Sequence, residues 1–148
     1  SVGIHAQTAK SNLDQAKLMQ QFLGTWEANI GKDSIEVWET KQYGQAFITN
    51  VSRNIKGKKS PSYISNDCID SKDGNIKGFI ITASGEYNTW IGLWSTEKKL
   101  SVDAVQNFNP ETVSEKYELL WETPSKMTIS VLTTDGTKTW EATYNKVK

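Results

Sequence analysis

Hydrophobic and polar residues alternate with a period of two along most of the chain, starting at Thr25. Trp26, Ala28 and Ile30 share one face of the first such segment, the pattern of a half-buried strand. Turn residues interrupt the alternation at near-regular spacing, as at Asp73-Gly74. About ten short strands are therefore expected. They begin at Thr25 and continue over 35–41, 45–55, 63–70, 75–83, 87–95, 100–108, 115–121, 127–133 and 140–147.

The connections between these segments are too short to hold a crossover helix, so the strands are expected to be antiparallel. One helix is predicted over 11–23, because Leu13, Ala16 and Leu23 recur at helical spacing and Ser11 can cap the first turn. The predicted fold class is all-β: an up-and-down antiparallel β-barrel of about 8–10 strands with one short N-terminal helix.

Length and charge limit the functions that this fold can carry. The 148 residues predict one β-barrel domain over 11–148, preceded by 1–10 as a signal-peptide remnant or disordered N-terminus. Basic and acidic residues number 17 each, so the net charge is +0 and no strong field is available to attract nucleic acid. No stretch approaches the ~20 apolar residues of a membrane span.

The chain has one histidine, His5, and one cysteine, Cys68. A Ser-His-Asp triad, a Cys-His pair, a histidine-rich zinc site or a histidine-ligated haem would need an imidazole in the folded body. We therefore expect no metal and no cofactor. Cys68 is interpreted as a small core residue.

The first six residues, up to Ala6, are similar to the end of a secretory signal, with a mature start at Gln7. This favours export to the periplasm or the extracellular space. The alternative is the disordered N-terminus of a cytosolic protein.

Gly24-Thr25-Trp26 follows the predicted helix and opens the first strand. This resembles the Gly-x-Trp motif that opens lipocalins, fatty-acid-binding proteins and related barrels of the calycin group. The resemblance implies that Gly24 permits a tight entry into the strand and that Trp26 closes one end of the barrel. It also makes Lys146 a candidate for the basic residue that lipocalins place over this tryptophan.

The chain departs from the fatty-acid-binding proteins in two places. Only Gly31-Lys32-Asp33 separates the first two strands, where that family inserts two helices. Ala142 and Tyr144 stand where the family has Arg-x-Tyr, so the arginine that holds a fatty-acid carboxylate is missing. The resemblance is therefore to small exported bacterial lipocalin-like domains, which implies lipid or other small-molecule binding.

Aromatic residues and one arginine are the candidate ligand-binding side chains. An eight- to ten-stranded barrel can enclose one small ligand, and aromatic residues that share a strand face suit an amphiphilic guest; the same residues also suit ordinary barrel packing. Arg53, the only arginine, is in phase with Phe47 and Val51 and could pair with a ligand carboxylate, or it could lie beside a lysine-rich loop. The candidates are Arg53, Trp90, Trp94, Tyr117, Trp121, Trp140 and Tyr144.

Three functions are compatible with these residues. The first is non-enzymatic binding of a small apolar or amphiphilic molecule inside the barrel. The second is a protein-interaction or inhibitor module, which predicts a filled interior and an exposed aromatic patch. The third is an isomerase or cyclase, for which buried carboxyl groups near Tyr117 or Tyr144 would be the supporting observation.

Overall fold

The computed structural model describes residues 12–147. A short helix, α1 (Gln15–Met19), continues into a 3₁₀ turn over Gln20–Phe22. The prediction that the helix begins at Ser11 is wrong. Asp14 is the N-cap, because its carboxylate accepts a hydrogen bond from the Lys17 backbone N–H at 3.0 Å. Residues 1–10, including the predicted cleavage site, lie outside the described residues.

Ten strands follow the helix, and each is antiparallel to the next along the chain. β1 also pairs with β10, through partners such as Ala28 and Tyr144, so the sheet closes. This confirms the predicted up-and-down barrel. The strands are β1 (Gly24–Gly31), β2 (Ser34–Tyr43), β3 (Ala46–Ile55), β4 (Lys58–Ile69), β5 (Ile76–Thr82), β6 (Tyr87–Thr96), β7 (Lys99–Val105), β8 (Glu115–Thr123), β9 (Lys126–Leu132) and β10 (Lys138–Val147).

The seventh strand is shorter than the alternation predicts. β7 ends at Val105, and the chain then turns through Asn107 and Phe108, whose φ angles are 48° and 59°. Positive φ is incompatible with an extended strand, so the apolar ring of Phe108 does not extend the alternating pattern. A 3₁₀ turn over Pro110–Thr112 precedes β8.

The helix covers one end of the barrel, which we call the closed end. Gln15 fixes it there: the Gln15 side chain donates to the Trp94 carbonyl at 3.3 Å and accepts from the Trp94 backbone N–H at 2.8 Å. The opposite end, which we call the open end, carries the β1–β2, β3–β4, β5–β6, β7–β8 and β9–β10 connections.

Aromatic side chains fill the closed end. Trp26 and Trp94 have no exposed surface and Trp121 is 1% exposed. The ring of Phe22 meets Trp121 edge-on with centroids 4.8 Å apart, and the Trp26 indole N–H donates to the Phe22 carbonyl at 3.0 Å. Lys146 Nζ lies 5.1 Å from the centroid of the Trp26 ring, so the basic residue suggested by the resemblance is in place.

Gly24 joins the helical segment to β1 with a φ of 105°, a conformation that L side chains rarely adopt. A side chain at this position would therefore strain the entry into the barrel. This conformation explains why glycine occupies the first position of the Gly-x-Trp motif, as the sequence indicated.

The prediction that Cys68 is a core residue is wrong. Its neighbour Asp67 is buried, whereas Cys68 is exposed. Successive side chains of a strand point to opposite faces, so a buried Asp67 places Cys68 on the outside of the barrel.

Candidate functional site

A cavity of about 820 Å³ occupies the barrel interior between the aromatic cluster and the open end. It is formed by inward-facing positions of the strands, because the register aligns residues such as Gly78, Trp90 and Ala104 across neighbouring strands. Its volume falls within the 300–1,000 Å³ typical of small-molecule sites.

One side of the cavity is an apolar wall. It is built from β7 to β10, where Leu100 pairs with Leu119 and Leu119 pairs with Ile129. Val102 extends this surface. Such a wall offers dispersion contacts and burial from water, but no side-chain hydrogen bonds.

The other side is polar and lies on β2, β3 and β4. We call it the polar stripe; it consists of Glu36, Thr40, Thr49, Arg53, Tyr63, Ser65 and Asp67. The Thr40 and Thr49 hydroxyl oxygens are 2.9 Å apart, and Thr49 is the register partner of Ser65. Polar groups thus follow one another across three adjacent strands inside the barrel.

Glu36 is the centre of the first half of this stripe. Its Oε1 accepts hydrogen bonds from the Tyr144 hydroxyl at 2.8 Å and from the Trp38 indole N–H at 2.9 Å. Its Oε2 accepts from Arg53 Nε at 3.1 Å. Three donors therefore satisfy a carboxyl group that is buried in the barrel.

Two phenols beside Glu36 are held in their neutral form. Burial, and then the nearby charge of Glu36, raises the pKa of Tyr63 and of Tyr144 well above the ordinary range of tyrosine. Both hydroxyls are protonated at neutral pH, and that of Tyr144 donates to Glu36.

Arg53 connects this cluster to the open end. Its side chain is 49% exposed, whereas that of Glu36 is only 8% exposed. Because the guanidinium is half in water, we assign its ion pair only about 1 kcal/mol. Within residues 12–147 the only hydrogen bond of the guanidinium is the one from Nε to Glu36, so its Nη groups donate to none of those residues.

Asp67 forms the second half of the stripe and has a different environment. It is 6% exposed, and the Ser65 hydroxyl donates to its Oδ1 at 2.8 Å. No lysine or arginine of the described chain forms an ion pair with it. Burial raises the pKa of Asp67 to about 7, partly offset by the hydrogen bond from Ser65.

Trp90 lies flat on the cavity wall beside Asp67 because its neighbours are glycines. A Cβ on Gly78 would be 1.9 Å from Trp90 Nε1 and 2.5 Å from Asp67 Oδ1. A Cβ on Gly92 would be 2.7 Å from Trp90 Cζ3. The two glycines therefore create the space that the indole occupies, and they bring its N–H edge close to the Asp67 carboxyl group.

A second tyrosine–carboxylate pair lies nearer the open end. The Tyr117 hydroxyl donates a short hydrogen bond to Glu115 Oε1. Burial, followed by this hydrogen bond, raises the pKa of Tyr117 above its ordinary range. Trp140, which is 39% exposed, also lines the cavity.

The structure divides the seven candidate residues of the sequence into two groups. Five of them line the cavity: Arg53, Trp90, Tyr117, Trp140 and Tyr144. Trp94 and Trp121 do not. They lie among the aromatic side chains of the closed end. Their ring centroids are 4.7 Å apart, and Phe22 of the helical segment covers them.

Sequence reasoning missed Glu36, Tyr63 and Asp67. One signal for Glu36 was available, because a hairpin around Gly44-Gln45 sets Glu36 opposite Arg53. Asp67 gave no such signal, because segment 63–70 has polar residues on both strand faces and its inward face cannot be recognised from the sequence.

Across residues 12–147, no three His, Cys, Asp or Glu side chains come together as a metal site would require. None of the helices described is long and apolar enough to cross a membrane. The closed barrel with its short helix is compatible with the calycin-like architecture. No protein-family model matches the sequence, and a search of curated proteins finds none that matches it.

Proposed function

We propose that this protein reversibly binds one small amphiphilic molecule inside the barrel, without chemical conversion. The supporting observation is the cavity of about 820 Å³, in which the polar stripe faces an apolar wall. A ligand with an apolar body and a polar edge would satisfy both surfaces at once. Burying about 200 Å² of its apolar surface would contribute about 5 kcal/mol before the costs of association are subtracted.

The polar stripe would orient this ligand. Arg53 offers its Nη donors at the mouth, with the guanidinium held by Glu36. The neutral Tyr63 adds a donor along the same wall. Because Glu36 fixes Arg53 and Tyr144 before any ligand arrives, fewer side-chain rotamers have to be ordered on binding.

We also propose that the protein is related to lipocalins and that it is exported from the cell. The Gly24-Thr25-Trp26 opening and Lys146 over Trp26 support a lipocalin-like protein of the bacterial type. The sequence from Ser1 to Ala6 supports export.

Native mass spectrometry of the purified protein is the first test. An additional mass that is lost on denaturation would identify a bound molecule. Titration with decan-1-ol, followed by tryptophan fluorescence, then measures affinity. Ala104→Trp should fill the cavity and weaken binding at least tenfold, since Ala104 lines it.

The matched control is Ser101→Trp on the same strand. Ser101 is exposed on the outside of β7, so its replacement should leave decanol binding within twofold of wild type. Equal binding by both variants and the wild type would contradict an interior site.

A second candidate function is an isomerase or cyclase. The observation that favours it is the presence of two tyrosine–carboxylate contacts, the buried one of Tyr144 with Glu36 and the partly buried one of Tyr117 with Glu115. Asp67, with its pKa near 7, would be the general acid–base. Chromatography of a ligand recovered from the native complex and returned to fresh protein would show conversion by the wild type and none by Asp67→Asn.

The interaction module ranks below both candidates. It predicts a filled interior, and the barrel holds a large cavity instead. An outer apolar patch is nevertheless present, where Phe79 stacks on Tyr87 with centroids 5.4 Å apart.

A further inference from the structure

We propose that Asp67 is the counter-ion for a protonated amine on the ligand, so that the cavity selects cationic amphiphiles over neutral ones of the same shape. This inference rests on the proposed ligand-binding function and names the chemical class of the ligand. It assigns to Asp67 a role that its position in the sequence did not suggest.

The first argument is the contrast between the two carboxyl groups of the polar stripe. Glu36 accepts three hydrogen bonds, one of them from the cation Arg53. Asp67 accepts one, from the neutral hydroxyl of Ser65, and this bond uses Oδ1. Among residues 12–147 no donor is bonded to Asp67 Oδ2, although the residue lines the cavity. The protein therefore neutralises one buried carboxylate and leaves the other without a counter-charge.

The second argument concerns what a buried carboxyl group needs. A carboxylate removed from water is costly unless a cation or several donors face it. The other ionisable groups around the cavity are Glu36, Arg53 and Glu115 together with the phenols Tyr63, Tyr117 and Tyr144. None of these donates to Asp67, and Arg53 is already paired with Glu36. A ligand ammonium group would supply the missing charge and a donor for Oδ2.

The third argument is the indole next to this carboxyl group. Trp90 Nε1 and Asp67 Oδ1 both lie within 2.5 Å of the point where a Gly78 Cβ would be. An ammonium group near Asp67 would therefore lie beside the Trp90 side chain, which lines the same cavity. The apolar wall on β7 to β10 would receive the hydrocarbon part of the same ligand.

The test uses decylamine and decan-1-ol, which share an alkyl chain and differ in charge. Their dissociation constants are measured by isothermal titration calorimetry at pH 7.5. The wild type should bind decylamine at least tenfold more tightly than decanol. Asp67→Asn keeps the shape of the side chain and removes its charge, so it should bind the two compounds within twofold of each other.

Asp103→Asn is the matched control. It makes the same chemical change on the outer face of β7, where Asp103 pairs with Lys116 at 3.1 Å. This variant should keep the tenfold preference of the wild type. Unchanged decanol binding by Asp67→Asn would show that its cavity is intact.

A pH series on the wild type tests the same inference without a mutation. The preference for decylamine should fall as the pH is lowered from 8 to 5, because protons then compete with the ammonium group for Asp67, whose pKa is about 7. Decanol binding should change less than twofold over this range.

The outcomes separate this inference from the proposed function. If neither compound binds, both are overturned. If decanol binds and decylamine binds no more tightly, the cavity is a ligand site and the role of Asp67 is overturned. A preference for decylamine that persists in Asp67→Asn would also overturn it.

Discussion

The closed end and the cavity both contain inward-facing tryptophans, yet these tryptophans differ in packing. At the closed end, Trp94 and Trp121 are fully buried against Phe22. In the cavity, Trp90 lies flat over two glycines and Trp140 is 39% exposed. The difference comes from what faces each ring.

The helical segment supplies that difference. Gln15 binds the backbone of Trp94, and the ring of Phe22 packs against those of Trp94 and Trp121. No equivalent segment of the described chain covers the opposite end. A tryptophan under the helix is therefore packed into the core, whereas one that faces the cavity has part of its surface free of packing.

The largest expected effect separates these two classes of tryptophan. Trp121→Ala should lower the free energy of unfolding by about 3–5 kcal/mol, because it removes a fully buried indole and leaves a cavity against Phe22 and Trp94. Trp140→Ala should cost less than about 1 kcal/mol, since Trp140 is partly in water. Urea unfolding measures both, and equal losses would contradict the division.

The next effect contrasts the two carboxyl groups of the cavity. Burial raises the pKa of Asp67 to about 7, above its value of about 3.9 in an unfolded chain. The native state therefore binds more protons, and the stability from this group is complete below pH 4 and is lost as the pH rises through 7. Asp67→Asn removes the titration.

Relative to the wild type, Asp67→Asn should gain about 3 kcal/mol of unfolding free energy between pH 5 and pH 8. Taking the difference between the two proteins cancels the carboxyl groups whose pKa is lowered, such as Asp70 and Glu122. Urea unfolding at both pH values measures it. A constant difference would mean that Asp67 is not desolvated.

A smaller effect is expected where Gly78 and Gly92 leave room for the Trp90 indole. Gly78→Ala places a methyl group where Trp90 Nε1 and Asp67 Oδ1 lie, so it should cost about 2 kcal/mol and alter the near-ultraviolet circular dichroism of the tryptophans. Gly31→Ala is the control, because its Cβ would meet only Ser34 Cβ, at 3.9 Å. That variant should change stability by less than about 0.5 kcal/mol.

The smallest effect concerns the charge at the closed end. Lys146→Met keeps a long apolar side chain and removes the ammonium group over Trp26, so it should cost about 0.5–1 kcal/mol. Lys41→Met, an exposed change on β2, should have no measurable effect on urea unfolding. If the two variants are equally stable, the contact with Trp26 contributes nothing.

The sequence predicted more of the fold than of the site. Alternation and turn signals identified ten strands and placed Phe47, Val51 and Arg53 on one face, and the structure confirms both the barrel and the burial of Phe47 and Val51. The helix start was wrong because Ser and Asp are both good N-cap residues, and it is Asp14 that caps the helix. Cys68 was wrong because a segment with polar residues on both faces has no clear inward side.

By itself the sequence determined the antiparallel succession of the strands, the closed end marked by Gly24 and Trp26, and which residues share a strand face. These features depend on neighbours along the chain and on the two-residue pleat, which are local properties. Only the tertiary structure decided which tryptophans the helical segment covers, and that Glu36 has Arg53 as a partner while Asp67 forms no ion pair within residues 12–147. Those outcomes depend on distances across the closed barrel, which are set when all ten strands are in register.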